Sequence, residues 1–245
     1  MSTVHNKVIL ITGASKGMGA NMALKLAGEG ARIIVNYVSN AAEADEVVKT
    51  IRGNGGSAIA IKADVSKESE VTALFDAAIG EYGRIDVLIN NAGVMDTKLL
   101  KDNTEADFDK HFNINVKGTF HTLKEAAAKL ADNGTIINFS TTLSRLMVPT
   151  YAVYSATKAA VEQLTRVFAK EIGRGINVNA VAPGPVATEL FLRGKSEEAI
   201  TRFKGMNAFN RLGQPEDISK VVLFLASDDA KWISGQIIGV NGAMA

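Results

Sequence analysis

Val8-Ile9-Leu10-Ile11-Thr12-Gly13-Ala14-Ser15-Lys16-Gly17-Met18-Gly19 is the stretch on which the reading of the fold turns. It opens with a short apolar run, continues through a glycine-rich segment, and is followed by Met18, Met22, Ala23 and Leu26 at helical spacing. That order is strand, turn, helix. Glycine permits a tight turn and a close approach of backbone to phosphate, and a helix start offers unpaired N–H groups and a partial positive charge to a pyrophosphate. The glycines fall at 13, 17 and 19, a spacing that differs from G-x-G-x-x-G. A glycine-rich turn alone can be purely structural. Between an apolar strand and the first helix of a βαβ unit, it predicts nucleotide binding.

Outward from this stretch the alternation repeats. Ile33 to Val35 reads as a strand, Ala41 to Arg52 as a helix, Ser57 to Ile61 as a strand, Glu68 to Ile79 as a helix and Ile85 to Ile89 as a strand. One helix is expected from about Glu105 to Leu130, then a strand at Thr135 to Phe139, a helix carrying Tyr154 and a strand at Ile176 to Val181. Pro215 opens a helix to Ala226, and Gln236 to Val240 is the last strand. Continuous apolar strands separated by helices specify a Rossmann-type, doubly wound α/β domain, a parallel sheet of about seven strands covered on both faces. No linker or repeat divides residues 1–245, so a single domain is expected. The irregular stretch from Pro183 to Asn210 has the length of a lid or substrate-binding loop.

Composition narrows the function. The 245 residues carry 27 Lys and Arg against 26 Asp and Glu, a net charge of +1. No long single-sign block marks a nucleic-acid or anionic-membrane surface, so a small-molecule partner is expected. The absence of cysteine excludes disulfides and thiolate chemistry, and His5, His111 and His121 share no ligand spacing, so no metal centre is expected. Met1 to Lys7 lack the apolar core of a signal peptide, and no apolar run approaches the roughly 18 to 20 residues of a membrane span. A soluble, cytoplasmic protein is the expectation.

Three further stretches carry chemistry. Tyr154-Ser155-Ala156-Thr157-Lys158 opens an apolar-periodic helix whose spacing puts Tyr154 and Lys158 on one face, a turn apart. A phenol with its ordinary pKa of about 10 exchanges protons poorly near neutrality unless a fixed cation stabilises its phenolate. Lys158 is placed to be that cation, although the pair by itself could also be two residues of a helix surface. Asn90-Asn91-Ala92-Gly93 follows the fourth strand, at the carboxyl edge where doubly wound sheets bind ligands. Asp64-Val65 ends the third strand on the same edge, where Asp64 or Ser66 could equally serve as a turn former or helix cap.

The combination of T-G-x-x-x-G-x-G, N-N-A-G, Y-x-x-x-K and P-G, in this order, resembles the short-chain dehydrogenase/reductase family from Lys7 to the C-terminus, particularly its ketoreductase-like and 3-oxoacyl-acyl-carrier-protein reductase members. The resemblance implies that Gly13, Ser15, Lys16, Gly17, Met18 and Gly19 line the cofactor phosphates and that Asp64 and Val65 meet the adenine. It places Asn91, Ala92 and Gly93 along the adenosine half, and Pro183, Gly184, Val186 and Thr188 near the nicotinamide. It makes Tyr154 the acid/base, has Lys158 lower its pKa and hold the nicotinamide ribose, and has Asn115 anchor a water in the proton relay. The family's substrate-polarising serine lies thirteen residues before the tyrosine, a position that Thr141 occupies here. Strand register from Ile136 and Ile137 also selects Thr141, whereas a loop one residue longer would select Ser140. Ser144 stands where the family often has glycine.

The cofactor expected is NADP(H) in preference to NAD(H). An enzyme that selects NAD places an acid after the second strand, where it would repel a 2′-phosphate. No acid occurs between Ala31 and Ala42, and Tyr37 stands at the aligned position. Asn36, Ser39 and Asn40 supply donors there, and Lys16 a positive charge. The reaction implied is hydride transfer between NADP(H) and a carbonyl or secondary alcohol. Two rivals are a non-catalytic nucleotide-binding sensor and a 3-oxoacyl-acyl-carrier-protein reductase, the latter needing a basic docking patch from Lys124, Lys129 and Arg174. Phe191, Leu192, Phe203, Met206 and Phe209 supply a candidate apolar lining. The resemblance also implies a homotetramer.

Overall fold

Strand β1 (Val8–Ile11) is buried along its whole length. Ile9 and Ile11 pack into one core layer and Val8 and Leu10 into the other, so both faces of the strand are covered. The computed structural model describes residues 4–245. Beside β1 run β2 (Arg32–Tyr37), β3 (Ser57–Lys62), β4 (Val87–Asn90), β5 (Thr135–Phe139), β6 (Asn177–Pro183) and β7 (Ile237–Val240). The seven form one sheet in the order β3-β2-β1-β4-β5-β6-β7, with every pairing parallel. The order reverses at β1, which pairs with β2 on one side and β4 on the other, and a ligand crevice opens at the carboxyl ends of such a switch point.

The helices are α1 (Gly17–Gly28), α2 (Ala41–Gly53), α3 (Glu68–Tyr82), α4 (Glu105–His111), α5 (Gly118–Lys129), α6 (Leu143–Leu146), α7 (Ala152–Glu171), α8 (Glu189–Leu192), α9 (Glu197–Gly205) and α10 (Pro215–Ala226). Met22 and Leu26 of α1, Val47 and Ile51 of α2, and Val222 and Leu225 of α10 cover one face of the sheet. Leu74 and Phe75 of α3, Leu123 of α5, and Leu164 and Phe168 of α7 cover the other. Each large aliphatic side chain fully removed from water contributes roughly 1.5–3 kcal/mol, which makes the two layers the main source of stability. Among the described residues, no helix is long and apolar enough to cross a membrane.

Two stretches differ from expectation. The single helix expected from Glu105 to Leu130 is interrupted by a π-helical segment, Phe112–Lys117, between α4 and α5. The irregular stretch from Pro183 to Asn210 begins inside β6 and contains α8 and α9, capped by the Thr188 and Ser196 side chains.

Candidate active site

The glycine-rich turn is held by hydrogen bonds that leave its outer surface open. Asn91 Nδ2 donates to the carbonyls of Thr12 and Gly13 at 3.0 and 2.9 Å, and the Thr12 hydroxyl accepts from the backbone N–H groups of Asn91 and Ala92. Gly13 has φ +62°, where a side chain would be strained, and a Cβ there would lie 3.0 Å from Ala92 Cα. A Cβ on Gly19 would overlap the Gly13 carbonyl and come within 2.8 Å of Asn91 Nδ2. Helix α1 then starts with neither a side-chain cap nor an acid in its first turn. Its leading N–H groups and dipole therefore fit an anionic pyrophosphate.

This turn lines one wall of an open cleft of about 540 Å³. Gly13, Ser15, Lys16, Gly17, Met18 and Gly19 meet there with Asn36, Tyr37, Ser39, Asn40, Asp64, Val65, Asn91, Ala92, Gly93 and Thr188. Several of these side chains are already engaged. Asn36, expected as a phosphate donor, is buried; its Nδ2 donates to Ile61 and Ala63 carbonyls and its Oδ1 accepts from Gly13 N–H. It ties the turn to β2 and β3 and has no amide hydrogen turned to the cleft. Asn40 caps α2 through the Glu43 N–H, and Asp64 accepts from both the N–H and the hydroxyl of Ser66. Lys16 pairs with Glu189 at 2.9 Å, and Glu43 and Glu189 bring to the cleft two carboxylates that the count from Ala31 to Ala42 does not include.

Beside the cleft, α7 presents Tyr154, half-buried, and Lys158, buried. Lys158 Nζ donates to the Phe139 carbonyl at 2.8 Å and lies 5.9 Å from the centre of the Tyr154 ring. Thr141 lines the same pocket as Tyr154, where its hydroxyl favours the phenolate, while the Ser140 hydroxyl donates to Glu162 at 2.7 Å. Burial pushes the Tyr154 phenol up to about 12, against which the Thr141 hydrogen bond works in the lowering direction. Burial likewise pushes Lys158 down to about 8. Removal from water thus sets the direction of both shifts, disfavouring the charged form of each group.

Asn115, in the π segment, is wholly buried behind the pair. Its Oδ1 accepts from Val94 N–H at 2.8 Å, and its Nδ2 donates to the Val94 carbonyl and the Thr157 hydroxyl, both at 3.0 Å. The Asn115 side chain thus clamps the backbone after Gly93 and ties it to α7.

An apolar pocket adjoins the cleft, sharing Met18, Thr188 and Leu190 with it. Ser140, Thr141, Tyr154, Pro183, Gly184 and Val186 line it, together with Leu143, Leu146, Tyr151, Phe191, Phe203 and Met244. Of the aromatic residues expected to line it, Phe191 and Phe203 meet edge to face at 5.3 Å inside the pocket, whereas Phe209 is exposed and lies outside it. Glu162, which accepts from Ser140, Ser144 and Arg166, was invisible to sequence reading because its partners lie on another element or outside any motif. The basic residues considered for carrier-protein docking are each paired with an acid: Lys124 with Glu68, Lys129 with Asp76 and Glu125, and Arg174 with Asp132.

The profile of a family described as Enoyl-(Acyl carrier protein) reductase matches residues 13–244. A short-chain type dehydrogenase/reductase of Picea abies is 42% identical, over 96% of this chain and 91% of that protein. An NADPH-dependent aldehyde reductase-like protein of Arabidopsis thaliana, described as chloroplastic, is 41% identical over 96% of this chain and 93% of its own. The structure of a dehydrogenase from Burkholderia cenocepacia with bound NADP superposes with a TM-score of 0.95 at 35% identity, over 100% of this chain and 96% of that one. With its parallel sheet, its glycine-rich turn and its Tyr154–Lys158 helix, the chain belongs to the short-chain dehydrogenase/reductase family.

Proposed function

We propose that the protein is an NADP(H)-dependent reductase of ketones or aldehydes, interconverting a carbonyl and its alcohol, with Tyr154 as the proton donor. The observation that carries this reading is the presence of Thr141 and Tyr154 in the lining of one apolar pocket, which shares Met18, Thr188 and Leu190 with the cleft beside the glycine-rich turn. When bound, the nicotinamide supplies the hydride that reaches the carbonyl carbon. The chain supplies the rest. Thr141 and Tyr154 hydrogen-bond the carbonyl oxygen, and the phenol, held protonated by burial, transfers its proton as negative charge develops there. Lys158 is charged below about pH 8 and stabilises the phenolate left behind. Asn115 fixes the Val94 backbone beside them.

NADP(H) is favoured by the missing acid at the end of β2 and by Lys16, which exchanges Glu189 for a 2′-phosphate in this reading. The NADP in the Burkholderia cenocepacia protein and the name of the Arabidopsis thaliana relative support it. The reading includes a homotetramer, supported by exposed Phe108, Phe120 and Val167 on α4, α5 and α7, and a cytoplasmic location. Following nicotinamide absorbance with both coenzymes against a panel of ketones and aldehydes tests the activity. Oxidation of NADPH with at least one carbonyl, at a kcat/KM above that with NADH, is expected; no oxidation with any carbonyl removes the reading in favour of a sensor.

A further inference from the structure

Against two aromatic rings of the apolar pocket stands a cation that proton transfer does not use. Lys195 lies between α8 and α9, half-buried, with Nζ 4.6 Å from the centre of the Phe191 ring and 5.8 Å from that of Tyr151. Both rings line the pocket that holds Thr141 and Tyr154. Nearby cations are matched by acids, Lys16 by Glu189 and Arg193 by Asp96. Among the described residues, the Lys195 ammonium has only the two ring faces. Burial, and secondarily the charge of Arg193, lowers its pKa, the mark of a cation lacking a counter-ion.

The rings set what such a cation would recognise. Tyr151 stands edge-on to Tyr154 with centroids 6.5 Å apart, so one ring neighbours both the proton donor and the ammonium. A substrate that presents its carbonyl to Tyr154 would lie against Tyr151 and Phe191, the two rings that Lys195 touches. Aromatic walls suit a flat ring, and an unpaired ammonium beside them suits a negative oxygen. We propose that the pocket takes an aryl ketone or aryl aldehyde carrying a carboxylate or phenolate remote from the carbonyl, with Lys195 as the residue that selects it. This assignment rests on the reductase reading above and adds the substrate class.

Matched pairs test it on the NADPH-loaded protein: 4-acetylbenzoate against its methyl ester, and 6-acetyl-2-naphthoate against its methyl ester. Wild type is expected to favour the acid by about tenfold in kcat/KM in at least one pair, with the preference carried by KM. Lys195→Met keeps the apolar stem over the rings and should lower that preference at least about fivefold, while Lys195→Arg should restore it to within about threefold. Calorimetric titration of the NADP⁺-bound protein with the two acids reads the same selectivity without turnover. Acids that bind, and bind more weakly to Lys195→Met, with no carbonyl reduced, would sustain the anion site and sink the reductase reading. Reduction of the esters, with an acid preference that is absent or unaffected by Lys195→Met in both pairs, overturns the anion site and leaves the reductase reading standing. Acids that fail to bind wild type overturn it as well.

Discussion

The glycine-rich turn and the α8–α9 segment face each other across one cleft, yet they are held in opposite ways. The turn is fastened by backbone and buried amides, with Asn36, Asn91 and Thr12 each bonding main-chain groups, and α1 behind it buries Met22, Ala23 and Leu26. Helices α8 and α9 bury no residue at all, and their link to the turn is an exposed ion pair, Lys16 to Glu189. Exposed pairs of this kind contribute about 0–1 kcal/mol. The cofactor wall is therefore a rigid template whose shape is set by the backbone, while the substrate wall is a weakly held cover whose character lies in its side chains. Segments with few buried contacts open at lower free energy than the core, which is what entry and exit of a substrate require.

The largest expected effect lies where the two walls meet. Tyr154→Phe should leave coenzyme affinity nearly unchanged and lower turnover by about two to four orders of magnitude, the range of a lost general acid. Wild-type turnover in single-turnover kinetics would show that chemistry does not pass through this phenol. Gly19→Ala should act on the rigid wall, because its Cβ overlaps the Gly13 carbonyl: NADP(H) should bind roughly 10- to 100-fold more weakly and the apo-protein melt earlier. An alanine that left both unchanged would mean the turn yields more readily than its hydrogen bonds imply.

Thr141→Ala is expected to lower kcat by about tenfold, through loss of the hydroxyl that favours the Tyr154 phenolate. Ser140→Ala should change kcat by less than about threefold and instead cost about 1 kcal/mol of stability, since its partner is Glu162. The opposite ranking in kcat would transfer the role to Ser140.

The smallest effect is electrostatic. In the apo-protein, burial lowers Lys158 from 10.5 to about 8, so from pH 8 upward the folded state releases this proton while the unfolded chain keeps it, and stability rises with pH. Tyr154, raised from 10.0 to about 12, has the opposite sign above pH 10, which leaves pH 8 to 10 as the window. Lys158→Met should lack this rise, so that the wild-type melting temperature gains a few degrees, roughly, relative to the variant across that window. Melting curves that stay parallel from pH 7 to 10 would contradict it.

The same contrast explains what could be read from the chain. β5 and α10 have the bounds expected of them, because an apolar run and a proline at a helix start are local signals. The glycine-rich turn was legible for the same reason. Asn36 was misjudged because a strand residue's outward or inward aspect depends on its neighbours: β3 offers the carbonyls that draw the amide inward. The π segment was missed since nothing in the 3.6-residue pattern announces that Asn115 will reach Val94, a contact made across 21 residues. By contrast, α9 had a readable start in Ser196 followed by Glu197 and Glu198, the usual marks of a helix N-terminus, and was obscured by the glycines on either side. Lys195 carries no local signature, because its meaning arises only once Tyr151 is brought beneath it.

The π segment also bears on how this chain tolerates changes in length. A π turn holds one residue more than the α-helical turn it replaces, and here the surplus lies between α4 and α5. Deleting a single residue from 112–117 would let one regular helix run through, with better backbone geometry than the native one. Because the π turn closes one circuit with its surplus residue included, α4 and α5 would keep nearly their present facing, and the change would fall on the segment itself. Asn115, inside the segment, would lose the register by which it now holds Val94. A shorter and locally more regular chain would thus fold with its proton-transfer residues out of alignment, and insertions or deletions should be far less tolerated at this buried point than in the exposed turns between strands and helices.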